Sequence, residues 1–192
     1  MDTYNALLKR RTIRRFLEKT VSFEALEKCV EAARLAPSAR NTQELEFIVV
    51  NNAEKLEQLN KAVRFGGVVA EKGRVKGEEP KAFIAIIANK EKSDEAYTSI
   101  NVGIAAQTIV LTSFEQGLGT CMLGAIERDQ IKEILGIPES YSLPLVIALG
   151  YPKETPVTEE AKENNLRYWI DKKGVLHVPK RAIENVLHRN EF

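Results

Sequence analysis

Hydrophobic positions recur along this chain at two spacings, and the changes between them mark its elements. Phe23, Leu26, Val30 and Ala33 fall at helical intervals between Ser22 and Pro37, predicting a helix capped by the serine hydroxyl and ended before the proline. A shorter helix over 2–10 has Asp2 as its cap. EFIVV (46–50) predicts a buried strand, and AEKLEQLNKAV (53–63) an amphipathic surface helix. AFIAIIA (82–88) is apolar throughout, which predicts a strand covered on both faces. Residues 95–116 run for about six helical turns with few charges. A helix apolar on most of its circumference is buried on most of it. Its small residues Gly103, Ala105 and Ala106 suit close approach by another helix, either within one core or from a twin across a dimer axis. GLGTCMLG (117–124) opens with a glycine stop and passes into a short strand. A helix over 127–135, ended by Gly136 and Pro138, and a strand in LPLVIALGY (143–151) follow.

Two stretches break this rhythm. RFGGVVAEKGRVKGEEP (64–80) is rich in glycine and charge, the composition of a loop that either covers an active site or stays unordered. Beyond Pro156 the chain is polar, yet it carries Tyr168, Trp169 and Val175, side chains that call for a packing partner such as another subunit. The 192 residues otherwise read as one domain, with 64–80 as a possible lid and 156–192 as a C-terminal extension.

Charge changes the picture by exclusion. With 28 Lys+Arg against 27 Asp+Glu, nothing draws the whole chain toward nucleic acid or an anionic membrane. There is no apolar run of about 20 residues and no leader-like N-terminus. Two distant cysteines, Cys29 and Cys121, and two histidines, His177 and His188, supply no zinc spacing. A cytoplasmic, reduced, metal-free protein is expected.

Against this near-neutral background, RRTIRRF (10–16) places four arginines in six positions. Three readings compete: a solvated charged turn, a nucleic-acid contact, or a pocket for one phosphate. Arginine presents a planar fork of donors that matches phosphate oxygens, and Arg10, Thr12 and Arg14 could form such a cradle. Lys180 and Arg181 form a second basic pair near the opposite end of the chain. APSARNTQ (36–43) offers Ser38, Asn41, Thr42 and Gln43, which serve equally as turn chemistry or as donors to a heteroaromatic edge. GLGTCMLG is not GxGxxG and follows a helix, so it is no dinucleotide fingerprint. Ser38 lacks a nucleophile elbow, and Cys121 reads as a small buried residue.

Taken in order, RRTIRRF, APSARNTQELEFIVV, NVGIAAQTIVLTSFEQGLGTCMLGAI, LGIPESYSLPLVIALGYPKE and VPKRAIENVLH resemble the FMN-dependent nitroreductase family from about residue 4 to about residue 190. The resemblance implies an α+β fold, a mainly antiparallel sheet flanked by helices, in an intertwined homodimer with two FMN sites at its interface. It implies that Arg10, Arg11, Thr12 and Arg14 bind FMN, with Arg10 and Thr12 at the phosphate and ribityl chain and Arg14 near the pyrimidine edge. Lys180 and Arg181 would complete the phosphate pocket, and Pro37, Ser38 and Asn41 would come from the other subunit. The backbone of Leu123 and Gly124 would approach flavin N5; Arg15 would be merely solvated. Two departures stand out: Gln43-Glu44-Leu45 replaces the frequent Gln-Pro-Trp, and Leu123 occupies a position often held by a polar residue.

The implied activity is ping-pong transfer of hydride from NADH or NADPH to FMN and on to a nitroaromatic, quinone or similar acceptor. No side chain need act as acid or base in the first half. The alternative is a non-enzymatic or specialised flavin-binding protein of the same fold, dehalogenase-like or flavin-consuming.

Overall fold

A computed structural model of the chain describes residues 2–66, 75–162 and 165–192. They divide into two compact units, Met1–Lys153 and Glu154–Phe192.

The first unit has three layers. Its central sheet runs β1 (Leu45–Val50), β2 (Ala82–Asn89), β4 (Tyr141–Gly150) and β3 (Gly119–Leu123), in that spatial order, with every neighbouring pair antiparallel. Alternation along β2 feeds two cores. Phe83, Ala85 and Ile87 join one cluster, with Leu59 of α3 (Ala53–Ala62) and Ile131 of α5 (Arg128–Leu135). Ala82, Ile84 and Ile86 join the other, with Leu26 of α2 (Phe23–Arg34) and Ile109 of α4 (Glu95–Glu115). The strand predicted to be covered on both faces is therefore the middle layer of this unit, and the expected antiparallel α+β architecture is present. Among the described residues, no helix is long and apolar enough to cross a membrane.

Local chemistry sets the boundaries. Asp2 accepts the amide hydrogen of Asn5 at 2.9 Å to start α1 (Thr3–Lys9), and Ser22 accepts that of Ala25 at 3.3 Å to start α2. Such caps each stabilise by about 1 kcal/mol. Gly117 and Gly136 take left-handed φ values of 76° and 65° where α4 and α5 stop. Two expectations need correction. The strand at 45–50 is only partly buried because it is an edge of this sheet. Phe23, placed on the apolar stripe of α2, is 53% exposed, since α2 turns Leu26, Cys29 and Ala33 inward instead.

Helix α4 buries Val102, Ala105, Ala106, Ile109 and Val110, but it leaves Tyr97, Ile100 and Gly103 exposed. A Cβ placed on Gly103 would meet nothing within 4 Å. The glycine therefore answers no packing need among the described residues of this chain. The possible lid over 64–80 falls in part on residues 67–74, which lie outside the described residues. Its N-terminal flank holds the buried Phe65, and its C-terminal flank the buried Glu78.

The second unit is a small sheet ordered β5 (Val157–Glu160), β7 (Leu176–Lys180) and β6 (Trp169–Ile170), parallel between β5 and β7 and antiparallel between β6 and β7. Cross-strand pairing stacks Trp169 on His177 at 4.1 Å between ring centres. Glu159 accepts from the Trp169 indole at 2.9 Å and faces Nδ1 of His177 at 2.9 Å, while Asp171 faces Nε2 at 3.5 Å.

The Glu159 contact, opposed by partial burial and reinforced by Asp171, raises the His177 pKa above its ordinary value. A group whose pKa is raised on folding stabilises fully below its unfolded value of 6.5 and loses that contribution as pH rises through the folded value. Trp169 is the one tryptophan of the chain, so its emission reads this cluster directly. The fluorescence is expected to titrate above pH 6.5, with the second unit loosening on the alkaline side, and His177→Gln is expected to abolish the transition.

Candidate functional site

The arginine segment is held against the sheet by its two apolar members. Ile13 donates its amide hydrogen to the Thr120 carbonyl at 2.9 Å, and Thr12 bridges Thr120 in parallel, so the segment runs along the free edge of β3. Ile13 and Phe16 are both buried. Each sits where a glycine leaves room: a Cβ on Gly119 would lie 2.6 Å from Ile13 Cγ1, and one on Gly150 2.8 Å from Phe16 Cδ1. These glycines are required by close approach rather than by backbone angle.

With Ile13 and Phe16 turned inward, the arginines between and before them stay half-buried at the sheet margin. Arg11 folds back to donate to the carbonyls of Leu8 and Arg10, at the C-terminal end of α1. Burial lowers the pKa of Arg10, and burial followed by the nearby Arg10 charge lowers that of Arg11. Neither guanidinium has a carboxylate partner among the described residues. The Nε of Arg10 is a buried donor without a hydrogen-bond acceptor. Two adjacent, partly desolvated cations and an orphaned donor are costly unless an anion joins them.

Arg15 departs from expectation. It is not merely solvated but grips Glu78 with two bonds, Nε to Oε2 at 2.5 Å and NH2 to Oε1 at 3.0 Å, and Lys153 reaches the same carboxylate at 3.0 Å. Glu78 is 7% exposed, and its carbonyl also accepts the Phe16 amide hydrogen at 3.1 Å. The Arg15 hydrogen bonds, working against burial and aided by Lys153, bring the Glu78 pKa down to about 2. Sequence reading missed this clamp because its three charges come from three distant segments.

Further along β3, Leu123 is buried and pairs with Val146, and Gly124 begins the turn to α5. Thr120 precedes Leu123 by three residues, about 10 Å of strand. Arg128 braces the turn, donating to the carbonyls of Gly124 at 3.3 Å and Leu143 at 3.2 Å. Gly124 is exposed, and a Cβ there would meet nothing within 4 Å.

Pro37, Ser38 and Asn41 stand apart from these groups. They belong to the α2–β1 connection, which enters the opposite edge strand of the sheet. Three intervening strand spacings put the two edges roughly 14 Å apart. The connection is strained: Arg40, Asn41 and Gln43 have φ values of 53°, 55° and 46°. It borders a groove of 410 Å³ lined by Pro37, Ser38, Gln43, Glu44 and Asn101 among others. Glu44 is 1% exposed and accepts from Thr42 Oγ1 at 2.6 Å and Asn101 Nδ2 at 2.8 Å. Burial alone would raise its pKa, but the Asn101 and Thr42 bonds, with its own backbone amide, together outweigh burial and leave it lowered. In the second unit, Lys180 is exposed at the end of β7, and Arg181 donates to the Asn185 carbonyl.

The family model described as "Nitroreductase family" matches residues 7–151, more than half of the chain. The chain belongs to the nitroreductase family. A protein of Archaeoglobus fulgidus bearing the provisional name NADH dehydrogenase/NAD(P)H nitroreductase is 33% identical over 160 residues, covering 80% of this chain and 87% of its own. An FMN-dependent nitroreductase from Clostridium difficile has the same fold, with a TM-score of 0.71 at 30% identity over 99% of this chain and 100% of its own. An FMN reductase (NADPH) from Bacillus subtilis is 25% identical over 167 residues, covering 79% of this chain and 66% of its own. In this nitroreductase-family chain the matched segment nearly coincides with the first compact unit and includes the arginine segment, β3 and the strained connection.

The Glu78 clamp yields an acid-stability prediction. A carboxyl whose pKa falls on folding stabilises fully above its unfolded value of 4.5 and loses that contribution as pH drops toward about 2. Chemical denaturation is expected to show Glu78→Gln less stable at pH 7 by about 2 kcal/mol, with a shallower loss of stability than the parent chain between those pH values.

Proposed function

We propose that this nitroreductase-family chain is an FMN-dependent oxidoreductase that draws on NADH or NADPH and works as a homodimer with shared sites. The observation that carries the proposal is the buried, acceptor-less Nε of Arg10 beside a second desolvated arginine. A phosphate dianion supplies the missing acceptor and offsets both charges, and Arg10, Arg11 and the Thr12 hydroxyl are the groups to hold it. Arg14, on the same segment, is assigned to the flavin edge, where a fixed cation lowers the cost of added negative charge. Gly124, open on its Cβ side, leaves room for a flat ring to reach the backbone of Leu123 and Gly124. When bound, FMN supplies the hydride chemistry between nicotinamide and acceptor, and the chain supplies binding, orientation and charge.

The sheet favours a site shared between subunits. Residues 10–14 lie along one edge strand, and Pro37, Ser38 and Asn41 lead into the other, so one chain does not bring the two groups together. A two-fold partner does, each subunit offering its 37–41 connection to the other's arginines. Exposed Ile100 and the vacant space over Gly103 suit α4 to the dimer contact. In this reading Lys180 and Arg181 serve an FMN phosphate, with 156–192 packed on the partner. Nitroaromatics and quinones are the acceptors to test first.

Purified protein is expected to show flavin absorption, or to acquire it from added FMN, and NADH or NADPH without oxygen should bleach it promptly. A persistent flavin spectrum would point to binding without turnover; no uptake of FMN would refute the role given to the arginines. Arg10→Ala is expected to weaken FMN binding about 10- to 100-fold, read by quenching of flavin fluorescence. Mixed dimers carrying Asn41→Ala in one chain and Arg10→Ala in the other should keep one sound site of two. Two equally impaired sites would contradict sharing.

A further inference from the structure

The groove beside the strained connection contains a carboxylate that the proposed chemistry does not use. Glu44 is almost fully buried, yet no cation contributes to holding it charged. Arg34, which lines the same groove, is engaged by Glu31 at 2.6 Å, and Arg40 by Asp94 at 3.6 Å. Burying an anion on neutral donors alone is expensive, so the bonds it makes must accomplish something a packed apolar side chain would not.

Those bonds converge on one object. Oε2 of Glu44 accepts from Thr42 within the connection, and Oε1 accepts from Asn101, a buried residue of α4. Accepting that bond orients the Asn101 amide so that its own Oδ1 receives the amide hydrogen of Ala39 at 3.0 Å. The connection is thus tied at both ends of its left-handed stretch, at Ala39 before Arg40 and Asn41 and at Thr42 after them. Ser38 adds an inner tie by accepting from the Gln43 amide at 3.2 Å. Left-handed φ at three non-glycine residues persists only where surroundings over-determine it.

We infer that Glu44 is a positioning residue: through Thr42 and Asn101 it locks the 38–43 connection in the shape that presents Ser38 and Asn41 to the partner subunit's flavin. The inference rests on the shared FMN site proposed above.

The test is a reciprocal swap. Glu44→Gln keeps the shape but puts an amide NH2 where one of two acceptors is needed, opposing a donor with a donor. Adding Asn101→Asp to Glu44→Gln restores every bond. The introduced amide accepts from Thr42 through its oxygen and donates through its NH2 to the introduced carboxylate, whose other oxygen still accepts from Ala39. Two readouts are taken on full-length protein, hydrogen exchange at the Ala39 amide and the FMN dissociation constant, after confirming that thermal unfolding stays cooperative. The single variant is expected to exchange Ala39 at least about tenfold faster and to bind FMN about tenfold more weakly, the scale for buried donors that lose an acceptor. The double variant should recover both to within about threefold of the parent. A folded Glu44→Gln with parental exchange and parental affinity overturns the inference, as does a double variant that recovers exchange but not affinity. Parent protein that takes up no FMN overturns the functional reading and with it the cofactor role of Glu44. The Ala39 exchange rates tell that failure apart from failure of the clamp.

Discussion

Two apolar side chains seated over two glycines hold the rest of this site in place. Ile13 and Phe16 reach the core only because Gly119 and Gly150 present bare backbone to them. Burying side chains of that size is worth about 2 kcal/mol each, enough to draw a segment with four arginines against the edge of a sheet. The arginines cannot follow the apolar residues inward, so they collect at the margin, partly desolvated and close to one another. Glu78 relieves one of them, Arg15, and fixes the segment from its far side. Arg10 is left with a buried donor that nothing in the described chain accepts from. The same packing that stabilises the segment thus creates its demand for an anion.

The sheet order then decides where a complete site can exist. With β1 and β3 at opposite edges, the arginine segment and the 37–41 connection face different boundaries of one chain. Each boundary is suited to contact but short of partners: Arg10 and Arg11 meet no carboxylate among the described residues, and the connection is strained around a buried carboxylate. Helix α4, packed on α2 yet exposed at Ile100 and Gly103, offers the surface through which a second copy would bring the halves together. Under the proposed shared site, the dimer would be part of the active site, because one edge of the sheet carries the arginines and the opposite edge the 37–41 connection.

Buried charge appears twice, with different physics. Glu78 is paired with two cations, and its ionisation stabilises the fold down to strongly acidic pH. Glu44 has only neutral donors, so its ionised form survives on hydrogen bonds and its worth lies in geometry. Leu123 is in contrast plain core, leaving only backbone at that point of the strand.

The element pattern was legible in the sequence because each element answers to local rules. Asp2 and Ser22 cap the helices their spacing announces, Gly117 and Gly136 stop two others, and the short unbroken apolar run at 82–88 reads as a strand with two covered faces. The cluster RRTIRRF was equally visible as an anomaly, but solvation, nucleic acid and phosphate could not be separated by spacing alone. Tertiary structure decided between its arginines. Arg15 meets Glu78 and Lys153 from distant parts of the sequence, whereas the Nε of Arg10 meets no acceptor among the described residues. It also decided the exposure of Phe23, the edge position of β1 and the Glu44–Asn101 tie. Each of these depends on which distant segment arrives alongside, and hydrophobic periodicity fixes only the face a residue prefers, not the neighbour it meets there.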